Sequence, residues 1–319
     1  MTARPVVILD RNVAIYIDLL RRRFSSLRFE TCLDYADIDR VVKTHQPEVI
    51  LCNRWGMPYP RAALIEAPSV RWVHAMSSGV NHLAPWDPQR VTVTNSAGIF
   101  SESMAQYALG MILMFSQRIP TFIRQQQRRE WKLVKVAPVQ GKLLCVLGAG
   151  SVGGQAAARC KALGMHVVGV RARPRPTPHI DEVVGIDRLH DVLARADFVL
   201  NCLPLTEATR GLMNAQAFAA MKKSAYYINI GRGAVDDEPA LIAALRSGAL
   251  AGAAIDVFQR EPLPKDSELW QLENLVITPH SSGEFPTWEM DTVARFMDQL
   301  DLWLAGKELR FVADPGKGY

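Results

Sequence analysis

The sequence predicts an α/β protein made of two doubly wound parallel-sheet domains. Three observations carry this expectation. Short continuous apolar runs alternate with helix-like stretches along the whole chain, they do so in two successive series, and a glycine-rich turn opens the second series. Strands covered on both faces read as unbroken Val/Ile/Leu runs, as these do.

In the first series, PVVILD (5–10), EVILCN (48–53), VRWVHAM (70–76) and VTVTN (91–95) read as strands, with helical segments at 11–23 and 34–45. In the second, the strands are KLLCVLG (142–148), MHVVGV (165–170), DFVLNCL (197–203), AYYINI (225–230), GAAIDV (252–257) and NLVITP (274–279). Helices are expected at 151–163, 187–195, 214–221 and 236–247. The segment 101–119 is apolar nearly all round, which predicts a helix buried on all sides, either central in the core or at a domain or subunit junction. The polar, basic stretch 120–141, with Trp131 inside it, reads as an exposed arm. Val293, Phe296, Met297, Leu300 and Leu304 recur at helical spacing within 287–305, so a C-terminal amphipathic helix is expected to pack back on the N-terminal unit.

The composition agrees with two ordinary soluble cores: 319 residues, 49% hydrophobic and 22% charged. A formal net charge of +5 suits anionic ligands. Nucleic acid is not an expected partner, because no basic face is interleaved with aromatics. The five cysteines are widely spaced without a CxxC pair, which fits reduced thiols better than disulfides or a zinc site, and no metal is expected. MTARPVVILD reads as a strand start rather than a signal peptide. The most apolar run, Met104 to Phe115, falls short of the roughly 20 residues that span a bilayer. A cytoplasmic protein without membrane attachment is expected.

Gly148-Ala149-Gly150-Ser151-Val152-Gly153 directly follows one expected strand and opens an expected helix. In that context GxGxxG is a dinucleotide-binding turn. Gly148 makes the tight turn, Gly150 lets a pyrophosphate approach, and Gly153 lets helix and strand pack closely. The helix N-terminus then offers free N–H groups to the phosphates. The following strand ends not in the acidic residue that binds a ribose 2′-hydroxyl but in Arg171, followed by Arg173 and Arg175. Guanidinium groups suit a 2′-phosphate, so NADP(H) is expected over NAD(H).

Three later strand ends carry candidate chemistry: Arg232 after AYYINI, Glu261 after GAAIDV, and His280 after NLVITP. Hydride transfer to a carbonyl needs a cation for the substrate carboxylate and carbonyl, and a proton donor for the oxygen. The Arg232 fork matches a carboxylate, and the imidazole of His280 is suited to proton donation. Glu261 suits the task of holding that imidazole and favouring its protonated form.

With these residues in place, the chain resembles the D-isomer-specific 2-hydroxyacid dehydrogenases. The resemblance lies in SSGVNHL (77–83), NSAGIFSESMAQYALGMIL (95–113), GAGSVGG (148–154), NCLPLTEATRGLMN (201–214), INIGRGAVDDEPAL (228–241), AIDVFQREPLP (254–264) and ITPHSSG (277–283). It implies that Arg232, Glu261 and His280 are the catalytic set. It places cofactor contacts at Ser151, Val152, Leu203, Pro204, Ile230, Gly231, Arg232, Asp256, His280 and Gly283. It assigns the substrate carboxylate to the backbone of Ser78, Gly79 and Val80, with Arg54 facing the substrate. The implied architecture is a Rossmann cofactor domain, 98–285, inserted into a smaller flavodoxin-like substrate domain formed by 1–97 and 286–319. It also implies a homodimer formed through the cofactor domain, and a hinged cleft around 97–100 and 284–287.

Two positions depart from the family pattern. Arg171 stands where Asp is usual, which argues against NAD, and Asn81 stands where Asp is common. The expected activity is reduction of glyoxylate, hydroxypyruvate or a similar 2-oxo acid by NADPH to the D-2-hydroxy acid. Residues near 54–57, 76–80 and 285–288 are candidate pocket walls, among them Trp55, Met76, Phe285 and Trp288. The alternatives are oxidation of another small anion, such as formate or phosphite, and a nucleotide-sensing corepressor role known for related chains.

Overall fold

A computed structural model describes residues 5–56 and 58–316; Met57, an expected pocket-wall position, and 1–4 and 317–319 lie outside the described residues. The chain divides into two compact units, Met1–Phe100 with Phe285–Tyr319, and Ser101–Glu284.

The smaller unit is a five-stranded parallel sheet of β1 (Val6–Leu9), β2 (Phe29–Cys32), β3 (Val49–Cys52), β4 (Trp72–Ala75) and β5 (Thr92–Thr94) in the order β2-β1-β3-β4-β5. The period of two along each strand sorts its side chains onto two cores. Val7, Leu9, Ile50, Cys52, Val73 and Ala75 enter one core. Val6, Ile8, Val49, Leu51 and Trp72 enter the other. The C-terminal helix Trp288–Leu304 inserts Val293, Phe296 and Leu300 into this second core, so it packs on the N-terminal strands as expected.

The larger unit is a seven-stranded parallel sheet. Its strands are β6 (Leu143–Leu147), β7 (His166–Val170), β8 (Glu182–Val184), β9 (Phe198–Asn201), β10 (Tyr226–Asn229), β11 (Gly252–Ile255) and β12 (Leu275–Ile277). The order is β12-β11-β10-β9-β6-β7-β8. From β6 the chain builds outward through β7 and β8, then returns to build the other way from β9. The reversal puts a topological switch point between β6 and β9, and another between β1 and β3 in the smaller sheet. Ligands of open α/β sheets bind beyond the strand ends at such points.

Strands β2 and β8 were not expected. Both are short, carry a glutamate (Glu30 and Glu182), and lie at a sheet edge, where a strand needs less apolar surface. The helix expected at 101–119 spans Ser101–Ser116 and is not buried all round. Ala105, Ala108, Ile112 and Phe115 enter the core, whereas Met104, Tyr107, Leu109, Met111, Leu113 and Met114 are half-buried. Arg118, in the left-handed region at φ 57°, ends that turn. A second helix, Ile119–Arg128, then restarts with Pro120 in its first turn, so the expected arm begins as a helix. It has no buried residue, and Ile119, Ile123, Trp131 and Leu133 are exposed. No helix among the described residues is long and apolar enough to cross a membrane. The five cysteines are free thiols, four of them buried.

His74 of β4 is fully buried between the Trp72 and Phe296 rings, with Nδ1 2.7 Å from Thr94 Oγ1. Burial, helped by the positive charge of Arg295, pushes its pKa down to about 3. The folded state therefore holds a neutral ring, whereas the unfolded chain takes up a proton once pH falls below about 6.5. This residue's contribution is intact above that pH and is lost progressively as pH falls toward about 3. Denaturant titrations of wild type and His74→Asn between these limits should show the wild type losing more stability with acid, by on the order of 4 kcal/mol. Parallel pH dependences would contradict this.

Candidate active site

The three candidate catalytic residues all lie in the larger unit, beyond the carboxyl ends of β10, β11 and β12. Arg232 follows β10 in extended conformation between two glycines. A Cβ on Gly231 would come 2.6 Å from the Leu203 carbonyl oxygen, and one on Gly233 would overlap the Phe258 carbonyl. Only glycine allows the Arg232 segment to lie this close to both neighbouring loops. The Arg232 guanidinium donates to the Gly231 carbonyl at 2.7 Å.

Glu261 and His280 form a pair. His280 Nδ1 lies 2.8 Å from Glu261 Oε2, and the Phe258 N–H donates to Glu261 Oε1 at 2.9 Å. One carboxylate oxygen is thus anchored to the backbone while the other holds the ring. This contact leaves Nε2 as the nitrogen available to substrate. The His280 side chain is 42% exposed, so the ring is open to solvent.

His280 itself has φ 55°, an unfavourable region for a residue with a Cβ. The end of β11 holds it there. The His280 N–H donates to the Asp256 carbonyl at 2.8 Å. The fully buried Asp256 carboxylate accepts from Thr278 Oγ1 (2.6 Å), Ser281 N (2.8 Å) and Ser282 N (3.0 Å). Asp256, implied as a cofactor contact, thus directs its carboxylate into the turn that carries His280; Gly283 follows in the same turn.

The glycine loop lies at the switch point. Gly148 has φ 93°, with the Cys202 carbonyl 3.1 Å from where a Cβ would stand. A Cβ on Gly153 would lie 2.7 Å from Val146 Cγ1, so the helix Ser151–Ala162 rests directly on β6. Above Gly150, by contrast, a Cβ would meet nothing within 4 Å. No side chain caps this helix, and its first residue, Ser151, is exposed. This is an open cradle of N–H groups at a helix N-terminus, the fit a pyrophosphate requires. Half-buried Val152 follows. Leu203 and Pro204 leave β9 across the switch point, with the Leu203 N–H held by Asn201 Oδ1 at 3.0 Å. Ile230, only 1% exposed, points into the core, so it offers backbone rather than side chain.

Arg171 follows β7, with Nη1 3.5 Å from both the Ala149 carbonyl and Thr177 Oγ1. These contacts are long, and they place the guanidinium beside the glycine loop. Arg173 and Arg175 are exposed.

The implied substrate-binding residues lie in the smaller unit. Arg54 follows β3 at that unit's switch point, its N–H donating to Asn53 Oδ1 at 2.7 Å. Asn53 Nδ2 in turn donates to the buried Asp10 carboxylate at 3.0 Å. The 77–80 turn is tied down by Asn95, whose Nδ2 donates to the Ser78 carbonyl at 2.8 Å, and by Ser77 Oγ, which donates to the Gly79 carbonyl at 2.9 Å. Among the described residues, the backbone N–H groups of Ser78, Gly79 and Val80 donate to no protein acceptor, as anion-binding amides should. Of the candidate walls, Met76 is fully buried, and Trp55 stacks on Tyr35 at 4.2 Å. Phe285 and Trp288 both lie against Phe100.

The family model for the D-isomer specific 2-hydroxyacid dehydrogenase NAD-binding domain matches residues 109–282. The chain belongs to this family. A D-isomer specific 2-hydroxyacid dehydrogenase from Xanthobacter autotrophicus Py2, solved in complex with NADPH and MES, superposes with a TM-score of 0.85 at 30% identity, covering 99% of this chain and 100% of that one. A glyoxylate/hydroxypyruvate reductase B from Escherichia fergusonii is 32% identical over 77% of this chain and 78% of its own length. A glyoxylate reductase from Aeropyrum pernix is 34% identical over 69% of each.

Sequence reasoning missed the polar network beneath this dehydrogenase's loops. Strands β9 and β10 both end in asparagine, and these two residues lie side by side in register. Asn201 Nδ2 donates to Tyr227 OH (3.0 Å), which donates to Asp236 Oδ1 (2.5 Å). Asn229 donates to Asp236 Oδ2 (2.8 Å) and accepts from the Gly231 N–H (2.9 Å). All four side chains are buried. Burial pushes the Asp236 carboxyl up to about 7, against the hydrogen bonds that favour its charged form. The sequence signal was a polar residue closing each of two apolar strands.

The close approach of Gly233 to Phe258 gives a direct test. Gly233→Ala forces Phe258 and Arg232 apart, and thermal unfolding should show a loss of roughly 1–3 kcal/mol, as for overpacking. A variant as stable and as active as wild type would contradict the packing described.

Proposed function

We propose that this dehydrogenase reduces a small 2-oxo acid, such as glyoxylate or hydroxypyruvate, to the D-2-hydroxy acid with NADPH. The observation that carries the reading is the His280–Glu261 pair, 2.8 Å apart, in the same unit as Arg232 and the open glycine cradle. When bound, the reduced nicotinamide supplies the hydride. The protein binds the substrate, orients it and supplies the proton.

Arg232 binds the anionic substrate and polarises its C2 carbonyl. Arg54 and the N–H groups of Ser78, Gly79 and Val80 bind its carboxylate. His280 donates the Nε2 proton to the C2 oxygen. Glu261 accepts from Nδ1–H, which keeps the ring in place and offsets its charge while both nitrogens are protonated. The cofactor's pyrophosphate is held at Gly150, Ser151 and Val152, with Leu203, Pro204 and Gly231 across the switch point. Arg171 and Arg173 hold the 2′-phosphate. What supports NADPH is the Arg171 guanidinium beside Ala149 of the glycine loop, where an acidic side chain would suit a free ribose hydroxyl.

The test is turnover of NADPH and NADH against a panel of 2-oxo acids. NADPH should be preferred, and Arg171→Asp should weaken it by roughly tenfold to hundredfold while sparing NADH. His280→Ala should lower kcat by about 10²–10⁴ with NADPH binding largely kept. Turnover with no 2-oxo acid would remove the reading, and a wild-type preference for NADH would remove the cofactor assignment.

A further inference from the structure

The helix Ser101–Ser116 touches both halves of the site through hydroxyl groups. Ser101 Oγ lies 2.6 Å from Ser151 Oγ at the start of the glycine-loop helix. Ser103 Oγ donates to the Ser282 carbonyl at 3.1 Å. Tyr107 OH lies 2.7 Å from Thr278 Oγ1. Nothing in the site as described requires a tyrosine here, and an apolar helix could have filled the position with leucine.

The direction of the bonds is set by counting hydrogens. Thr278 has one hydroxyl hydrogen and donates it to Asp256 Oδ1 at 2.6 Å. The Thr278 oxygen must then accept from Tyr107. Burial pushes the Tyr107 phenol up to about 12, so it remains a donor at neutral pH. The chain therefore runs from Tyr107 through Thr278 to the carboxylate that holds the Ser281 and Ser282 amides. These amides belong to the turn that keeps His280 at φ 55°. Hydrogen bonds linked in this way polarise and strengthen one another.

We propose that Tyr107 is a positioning residue for His280, acting through the Thr278 hydroxyl and the Asp256 carboxylate. The inference rests on the reading of His280 as the acid. The tyrosine hydroxyl is taken up by Thr278. It fixes the orientation of Thr278, which completes the set of donors on Asp256 and holds the 278–282 turn. Ser103, one helical turn earlier, holds the far side of the same turn at Ser282. The helix thereby sets the place of the acid relative to the cofactor cradle, which Ser101 contacts.

The test compares Tyr107→Phe, Thr278→Val, Thr278→Ser and His280→Ala in the full-length protein, by steady-state kinetics and by amide hydrogen exchange over 278–283. Tyr107→Phe and Thr278→Val should lower kcat by about tenfold or more with the KM for NADPH essentially unchanged, because a misplaced acid slows chemistry rather than binding. Both should speed exchange in 278–283. Thr278→Ser, which keeps the hydroxyl, should restore kcat and protection. If His280→Ala is impaired but Tyr107→Phe keeps wild-type kcat and exchange, the positioning role is overturned. The same holds if kcat falls without faster exchange. If His280→Ala itself keeps wild-type kcat, it is the acid assignment that fails.

Discussion

The Asp256 carboxylate is the interaction on which the site depends. It is fully buried, and it accepts from one hydroxyl and two backbone amides of the turn after β12. A buried carboxylate without donors would be strongly unfavourable, and a histidine in the left-handed region is strained. Each problem removes the other. The turn that strains His280 brings the Ser281 and Ser282 amides to Asp256, and Asp256 holds the turn in that shape. Because β11 and β12 pair in register, the strand carrying Asp256 and the strand carrying His280 cannot slide apart. His280 is therefore fixed by the sheet itself.

The same economy governs the other strand ends. Leu203, Gly231 and Phe258 come from three adjacent strands, and glycines at 231 and 233 let their backbones meet. Beneath them, Asn201, Tyr227, Asn229 and Asp236 form a closed polar network in an apolar surround. Such a network is favourable only when its members are satisfied, and these four satisfy one another and the Leu203 and Gly231 amides. The loops that carry Leu203 and Arg232 are thereby tied to the core beneath them as well as to one another.

Much of this was legible in the sequence because a parallel sheet covered on both faces leaves uninterrupted apolar runs. Ten strands could be placed that way. The edge strands β2 and β8 left no such run, since an edge is partly wet. The helix Ser101–Ser116 turns one face to the core of its own chain and leaves its other apolar residues half-buried there, a division that an all-round apolar sequence does not record. Arg232, Glu261 and His280 could be placed beyond the ends of β10, β11 and β12 from the sequence, where ligands of this fold bind. The roles of Asp256, Asp236, Asn201 and Tyr107 were not legible there. They depend on which residues from distant segments come into register, and spacing along one chain carries no record of that.

The proposed reduction makes one new C–H bond, at C2 of the substrate. NADPH deuterated at its transferable C4 position, incubated with the protein and hydroxypyruvate, labels that bond directly. Mass spectrometry and chiral chromatography of the product should show one deuterium at C2 of the D-2-hydroxy acid. An unlabelled product, or the L-isomer, would contradict the account.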